Sequence, residues 1–166
     1  MENNKIDFEE IKAKIESWKG QNGVDLSTEE DLALAVMNLI SLEEHFFFTG
    51  VKTAKTSYFG FLQEVREMRK KLLAKLIDSH EGETWCASKH LLAATMRLLE
   101  VGTKLQSRQK NKEAIECFDQ AHQLFNLFWA LRLKLIELPE LKEAAGEEKP
   151  WTLKDIVNKL VDCCDE

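Results

Sequence analysis

Apolar side chains recur at three- and four-residue intervals through most of this chain, the spacing of one face of an α-helix. The first such segment, residues 5–19, sets Phe8, Ile11, Ile15 and Trp18 along a narrow seam of an otherwise charged surface, which suits docking on a larger bundle. Gly20 and Gly23, with Gln21 and Asn22 between them, mark a turn. A second helix is predicted from about Thr28, because Ser27 followed by Glu30 has the form of a capping box. Leu32, Val36, Leu39, Ile40 and Phe47 line one of its faces, and Ala33, Met37 and Phe46 widen that face. A helix so apolar is expected inside a bundle, and Gly50 is expected to close it.

The third helix is predicted to start near Thr56 or Ser57 and to end by Gly82, with Phe61, Val65, Met68, Leu72 and Leu76 as its stripe. The fourth covers residues 83–108. The fifth covers residues 112–137, with Ala114, Phe118, Ala121, Phe125 and Phe128 inward, and Pro139 as its stop. Residues 139–150 read as a charged linker. Thr152 and Asp155 then resemble a weaker capping box, and Leu153, Ile156, Val157, Leu160 and Val161 share one face of a terminal helix over 152–164. The expected fold is all-α and a single domain over 1–166. It is an up-down antiparallel four-helix bundle, residues 28–138, with a short additional helix at each terminus.

Composition agrees with long helices. Seven Gly and two Pro in 166 residues are too few for a chain of many turns, and a 44% apolar content permits a sizeable core. No apolar run reaches the ~18 residues of a membrane span, and the opening MENNKIDFEE is acidic and polar without a signal-peptide pattern, so a cytoplasmic protein without membrane association is expected. Cys86, Cys117, Cys163 and Cys164 form no C-x-x-C pair and read as reduced thiols.

Charge changes the picture more. Residues 1–50 carry four basic and eleven acidic side chains, residues 51–112 thirteen and six, and residues 113–166 six and twelve. Acidic ends around a basic middle suit attraction between helices of the same molecule. Arg66, Arg69, Lys70 and Lys71 cover more than half of a helix surface, so some are expected in solvent and others against acidic helices. The net charge of −6 argues against a nucleic-acid partner.

Within residues 98–121, Leu98, Gly102, Leu105, Ala114, Phe118 and Ala121 have a spacing that resembles the tetratricopeptide consensus. That resemblance implies two helices brought close by small residues, with an aromatic ring filling the groove between them. It covers one hairpin, and no second copy follows at the expected period of about 34 residues. The plainer reading of the same residues is a closely packed hairpin within the bundle.

Candidate chemistry comes from counting levels across antiparallel neighbours. Glu44, Glu64, Glu100 and His122, from four helices, fall roughly on one layer, and carboxylates with imidazoles converging from four helices build di-iron and di-manganese centres. Asp119 and His122 have the acid–His spacing of the ferritin-like families, while the third helix offers Glu64 and Glu67 without a His. The competing reading pairs Glu44, Glu64 and Glu100 with Arg66, Arg69 or Arg97. Cys86 and His90, four apart, are a second candidate for zinc. Otherwise Cys86 is a small buried hydrophobe and His90 a hydrogen-bonded interfacial residue.

No P-loop, dinucleotide fingerprint or H-E-x-x-H motif is present, and no His follows an Arg at the spacing of helical-bundle ribonucleases. The expected function is therefore a non-enzymatic bundle that binds a protein partner or self-associates. The alternative is a bundle that binds iron, manganese or zinc.

Overall fold

The computed structural model describes residues 26–77 and 82–135, together with Glu9 and Ala13, which are helical and exposed. The expected terminal helices, 5–19 and 152–164, and the linker 139–150 lie outside the described residues apart from those two positions. The protein is all-helical, with four helices: α1 (Ser27–Thr53), α2 (Ser57–Leu73), α3 (Glu83–Ser107) and α4 (Asn111–Arg132).

Helix α1 begins after Leu26, whose carbonyl accepts the Glu30 N–H at 2.8 Å. Ser27 is thus the first residue inside the helix rather than its N-cap, and the N-cap position falls to Leu26, whose side chain makes no capping hydrogen bond. Glu29 and Glu30 instead put negative charge in the first turn, where the helix dipole favours it. Gly50 does not end the helix. It is buried in the last turn but one, and a Cβ there would lie 2.9 Å from the Phe59 ring, so its role is to let α2 approach. The turn comes at Ala54, which takes a left-handed conformation with φ 55°.

Helices α3 and α4 are joined by an equally short turn. Gln109 sits at φ 62°, and the N–H groups of Gln109 and Lys110 return to the carbonyls of Gln106 and Leu105 at 2.9 and 3.0 Å. That is the paired closure of a Schellman cap. The same closure ends α4 at Arg132, where Leu135 bonds back to Ala130 and Lys134 to Leu131, several residues before the expected stop at Pro139.

Short turns make antiparallel hairpins of α1 with α2 and of α3 with α4, each closely packed. The two hairpins meet chiefly through α1 and α3, which run parallel. Ala33, Val36 and Met37 of α1 meet Leu73, Leu76 and Ile77 at the end of α2, Trp85 and Leu92 of α3, and Phe128 of α4 in one core. Every one of these residues lies toward one end of the molecule, here called the base. Phe128 stacks on Phe125 and meets the edge of Trp129, and Arg132 reaches back to Glu29 at 2.9 Å, fastening α4 to the start of α1.

Two stripes differ from expectation. On α2 the half-exposed Phe61 and Met68 lie to one side, and the inward line runs through Val65, Arg69, Leu72, Leu73 and Leu76. A charged residue occupies the centre of that line, so hydrophobicity alone placed the face about one position off. On α1 the stripe is buried as far as Met37, but Phe47 is exposed. By length and composition α1 is long and apolar enough to cross a membrane, where no stretch of that kind was expected. The carboxylates within it, Glu43 and Glu44, are both engaged by arginines of neighbouring helices.

Candidate functional site

Consecutive residues of a helix point about 100° apart. Glu43 and Glu44 therefore address different neighbours. Glu43 accepts hydrogen bonds from Arg69 Nε at 2.9 Å and Nη2 at 3.4 Å, at the α1–α2 seam. Glu44 accepts one from Arg97 Nη2 of α3, at the seam between hairpins. The acidic first helix thus draws on the basic middle of the chain, and Arg132 adds a third contact at Glu29.

The residues of the expected carboxylate layer have the following surroundings. Glu44 is bound to Arg97, Glu100 faces Lys104 one turn along its own helix at 3.4 Å, and Glu64 is exposed on α2. His122 is also exposed, 3.4 Å from Asn126, and Asp119 stands in solvent on the same helix. Among the described residues no group of three or more His, Cys, Asp and Glu side chains is arranged to hold a metal. Cys86 and His90 do not share an environment: Cys86 is buried in the first turn of α3, and His90 is exposed. Cys117 is half-buried on α4.

Level counting takes consecutive helices as neighbours, which would turn Arg97 of α3 toward α2. The observed partner is Glu44, since α1 touches α3. The hairpin logic of residues 98–121 is matched more closely. Gly102, Ala114 and Ala121 are buried, and a Cβ on Gly102 would come within 2.4 Å of the Phe118 ring.

The Glu44–Arg97 contact also marks where the hairpins part. Two parallel helices that stayed together would bury the residues one and two turns further on. On α1 these are Phe48 and Val51, with Phe47 beside them. On α3 the next turn brings Val101. They are 55%, 60%, 48% and 45% exposed, respectively. Yet Phe47 and Val51 follow Val36 and Ile40 at helical spacing, on the side of α1 that the base buries. The inward stripe therefore continues past the ion pair and emerges uncovered at the open end, where α1 and α2 turn and α3 and α4 turn.

The signal for this face was present in the sequence as Phe46-Phe47-Phe48. Three consecutive aromatics on one helix cannot all point inward. Phe46 turns to α2, where it packs on Tyr58 and Phe61 with ring centroids 6.2 and 5.7 Å away, while Phe47 and Phe48 meet edge to face at 5.2 Å and remain half exposed.

No family model matches the chain, and no curated protein or solved structure is significantly similar to it.

Proposed function

We propose that the chain is a non-enzymatic interaction module, working in the cytoplasm, that receives an amphipathic helix of a protein partner or of a second copy at its open end. In this reading the helices follow one another in up-down order, and residues 5–19 and 152–164 are accessory helices of the same domain. The supporting observation is the continuous stripe on α1, buried at Val36 and uncovered at Phe47 and Val51. Aromatic and aliphatic side chains presented between two helices are what an amphipathic helix uses when it lies in a groove.

Energetics bounds such an interaction. Fully burying a large apolar side chain gains about 1.5–3 kcal/mol, so four half-exposed ones gain roughly 3–6 kcal/mol. Association of free molecules costs about 4–15 kcal/mol in lost freedom. Binding on these four residues alone is weak, and its specificity comes from charges around them. Lys52 and Lys55 lie at one turn and Lys104 and Arg108 at the other, so the fitting helix has an acidic polar face.

The test is titration of the full chain with a synthetic 18-residue helix of Leu and Glu, followed by amide chemical shifts. Shifts confined to α1 beyond Glu44 and α3 beyond Arg97, and lost in Val51→Asp, are expected. Shifts scattered over the base, or absent from both the full chain and an Ile156→Asp/Leu160→Asp variant of it, would overturn the reading. Stoichiometric iron, manganese or zinc in untagged protein, lost in Glu64→Ala, would carry the metal-binding alternative instead.

A further inference from the structure

We infer that the chain carries its own occupant for the open end: the stripe Leu153, Ile156, Val157 and Leu160 lies on Phe47, Phe48, Val51 and Val101 of the same molecule and competes there with any partner helix. The inference rests on the reading of the open end as a helix-binding face, and it adds the regulation of that face.

The size of the face is the first argument. An aromatic side chain offers ~150–250 Å², so two half-exposed Phe and two half-exposed Val leave roughly 300–400 Å² uncovered. A free-standing interface needs about 800 Å² from each partner. A second copy held by this face alone falls short of that. A tethered segment does not, because a short linker gives it an effective concentration in the millimolar range.

Charge is the second argument. Residues 139–166 carry eight acidic and four basic side chains. The two turns at the open end are basic, with Lys52 and Lys55 on one and Lys104, Arg108, Lys110 and Lys112 on the other, against Glu100 and Glu113. Lys104 and Lys110 are already turned to Glu100 and Glu113, which leaves the first turn, Arg108 and Lys112 to meet an acidic segment.

Reach is the third. The last described residue, Leu135, lies at the base, close to where Arg132 meets Glu29. From Ser27 to Val51, α1 rises about 36 Å. The chain between Leu135 and Leu153 holds seventeen residues, and seventeen residues span up to about 56–61 Å. The stripe can therefore arrive at the open end without disturbing the base.

The experiment compares the full chain with a full-length Ile156→Asp/Leu160→Asp variant by hydrogen exchange. Neither substitution alters a residue of the packed base, which is built from residues 33–37, 73–77, 85–92 and 128. Exchange at least fivefold faster over residues 44–53 and 98–107, with residues 85–95 and 121–131 unchanged, is the expected result. The synthetic Leu/Glu helix should also bind the variant at least fivefold more tightly than the unaltered chain.

Unchanged exchange with equal affinity for the two proteins would overturn the inference and leave the helix-binding reading intact. Faster exchange with no binding to either protein would support internal docking and remove the helix-binding reading. A full chain that sediments as a dimer and becomes a monomer in Val51→Asp would give the face to a second copy. Faster exchange caused by Ile11→Asp/Ile15→Asp, and not by the C-terminal pair, would give it to the N-terminal segment.

Discussion

Arg69 of α2 donates two hydrogen bonds to the carboxylate of Glu43 on α1, at 2.9 and 3.4 Å, from a side chain that is 2% exposed. A buried charge is tolerable only while it is paired and hydrogen-bonded, because taking it out of water costs several kcal/mol. Arg69 is the largest fully buried side chain among the described residues. Removing it also removes the packing of its methylene stem. Arg69→Ala is expected to destabilise the protein by about 3–5 kcal/mol. The double variant Arg69→Met/Glu43→Leu should recover part of that loss, since neither charge of this pair is left without the other. Urea unfolding of the three proteins measures both. A double variant as unstable as Arg69→Ala would mean that the pair is worth more than its desolvation.

Two glycines inside helices should respond oppositely to alanine. At Gly102 the added Cβ would lie 2.4 Å and 2.7 Å from ring atoms of Phe118, so the α3–α4 hairpin must open or the ring must move. Overpacking of this kind costs about 1–3 kcal/mol. At Gly60 nothing lies within 4 Å of the new methyl group, and the residue is exposed on α2. There Ala relieves the entropic penalty of Gly and should stabilise by about 0.5–1 kcal/mol. Thermal unfolding of Gly102→Ala and Gly60→Ala should therefore shift in opposite directions. If Gly102→Ala unfolds like the unaltered protein, the close approach at Phe118 is not a constraint.

Gln109 holds φ 62° at the left-handed position that ends α3, a conformation in which its Cβ crowds the following carbonyl. Gly has no such clash and is the preferred residue there. Gln109→Gly should stabilise by about 0.5–1 kcal/mol, net of the greater freedom Gly gives the unfolded chain. Arginine or lysine substitutions at the same position offer no such gain. A midpoint that falls in denaturant titration of Gln109→Gly would show that the Gln side chain contributes more than the strain removes.

The helices were legible because their signals are local. Periodicity, the turn near Thr56 and Gly82 ahead of Glu83 depend only on neighbours in sequence, and they located the start of α2, both ends of α3 and the start of α4 to within a residue or two, whereas α2 ends at Leu73, well before the expected Gly82. What failed was tertiary. Ser27 has the residue type of a cap, yet the helix starts one position earlier. Gly50 has the composition of a terminator, yet packing against Phe59 explains it better. The sequence offers Arg69 as an ion-pair partner for Glu44, Glu64 or Glu100, yet its observed partner is Glu43, 26 residues away, which local pattern does not single out. The carboxylate layer assumed that chain neighbours are space neighbours. The parallel contact of α1 with α3 instead brings Glu44 to Arg97 and leaves Glu64 exposed.

Val36 and Val51 offer the most direct check of the open end. They lie on the same side of one helix, fifteen residues apart, with 0% and 60% exposure. The chemistry of truncation is identical at both, so helix propensity and unfolded-state effects largely cancel between them. Val36→Ala removes two carbon groups from a packed site against Leu73, Trp85 and Phe128. It should cost about 2 kcal/mol, from lost transfer energy and the cavity left behind. Val51→Ala removes groups that face no part of the described core. It should cost under about 1 kcal/mol, the most that a weakly docked occupant of the open end would forfeit. Paired urea titrations of the single variants give the difference directly. Equal losses at the two positions would mean that the stripe is equally buried along its length, and that the hairpins do not part beyond Glu44 and Arg97.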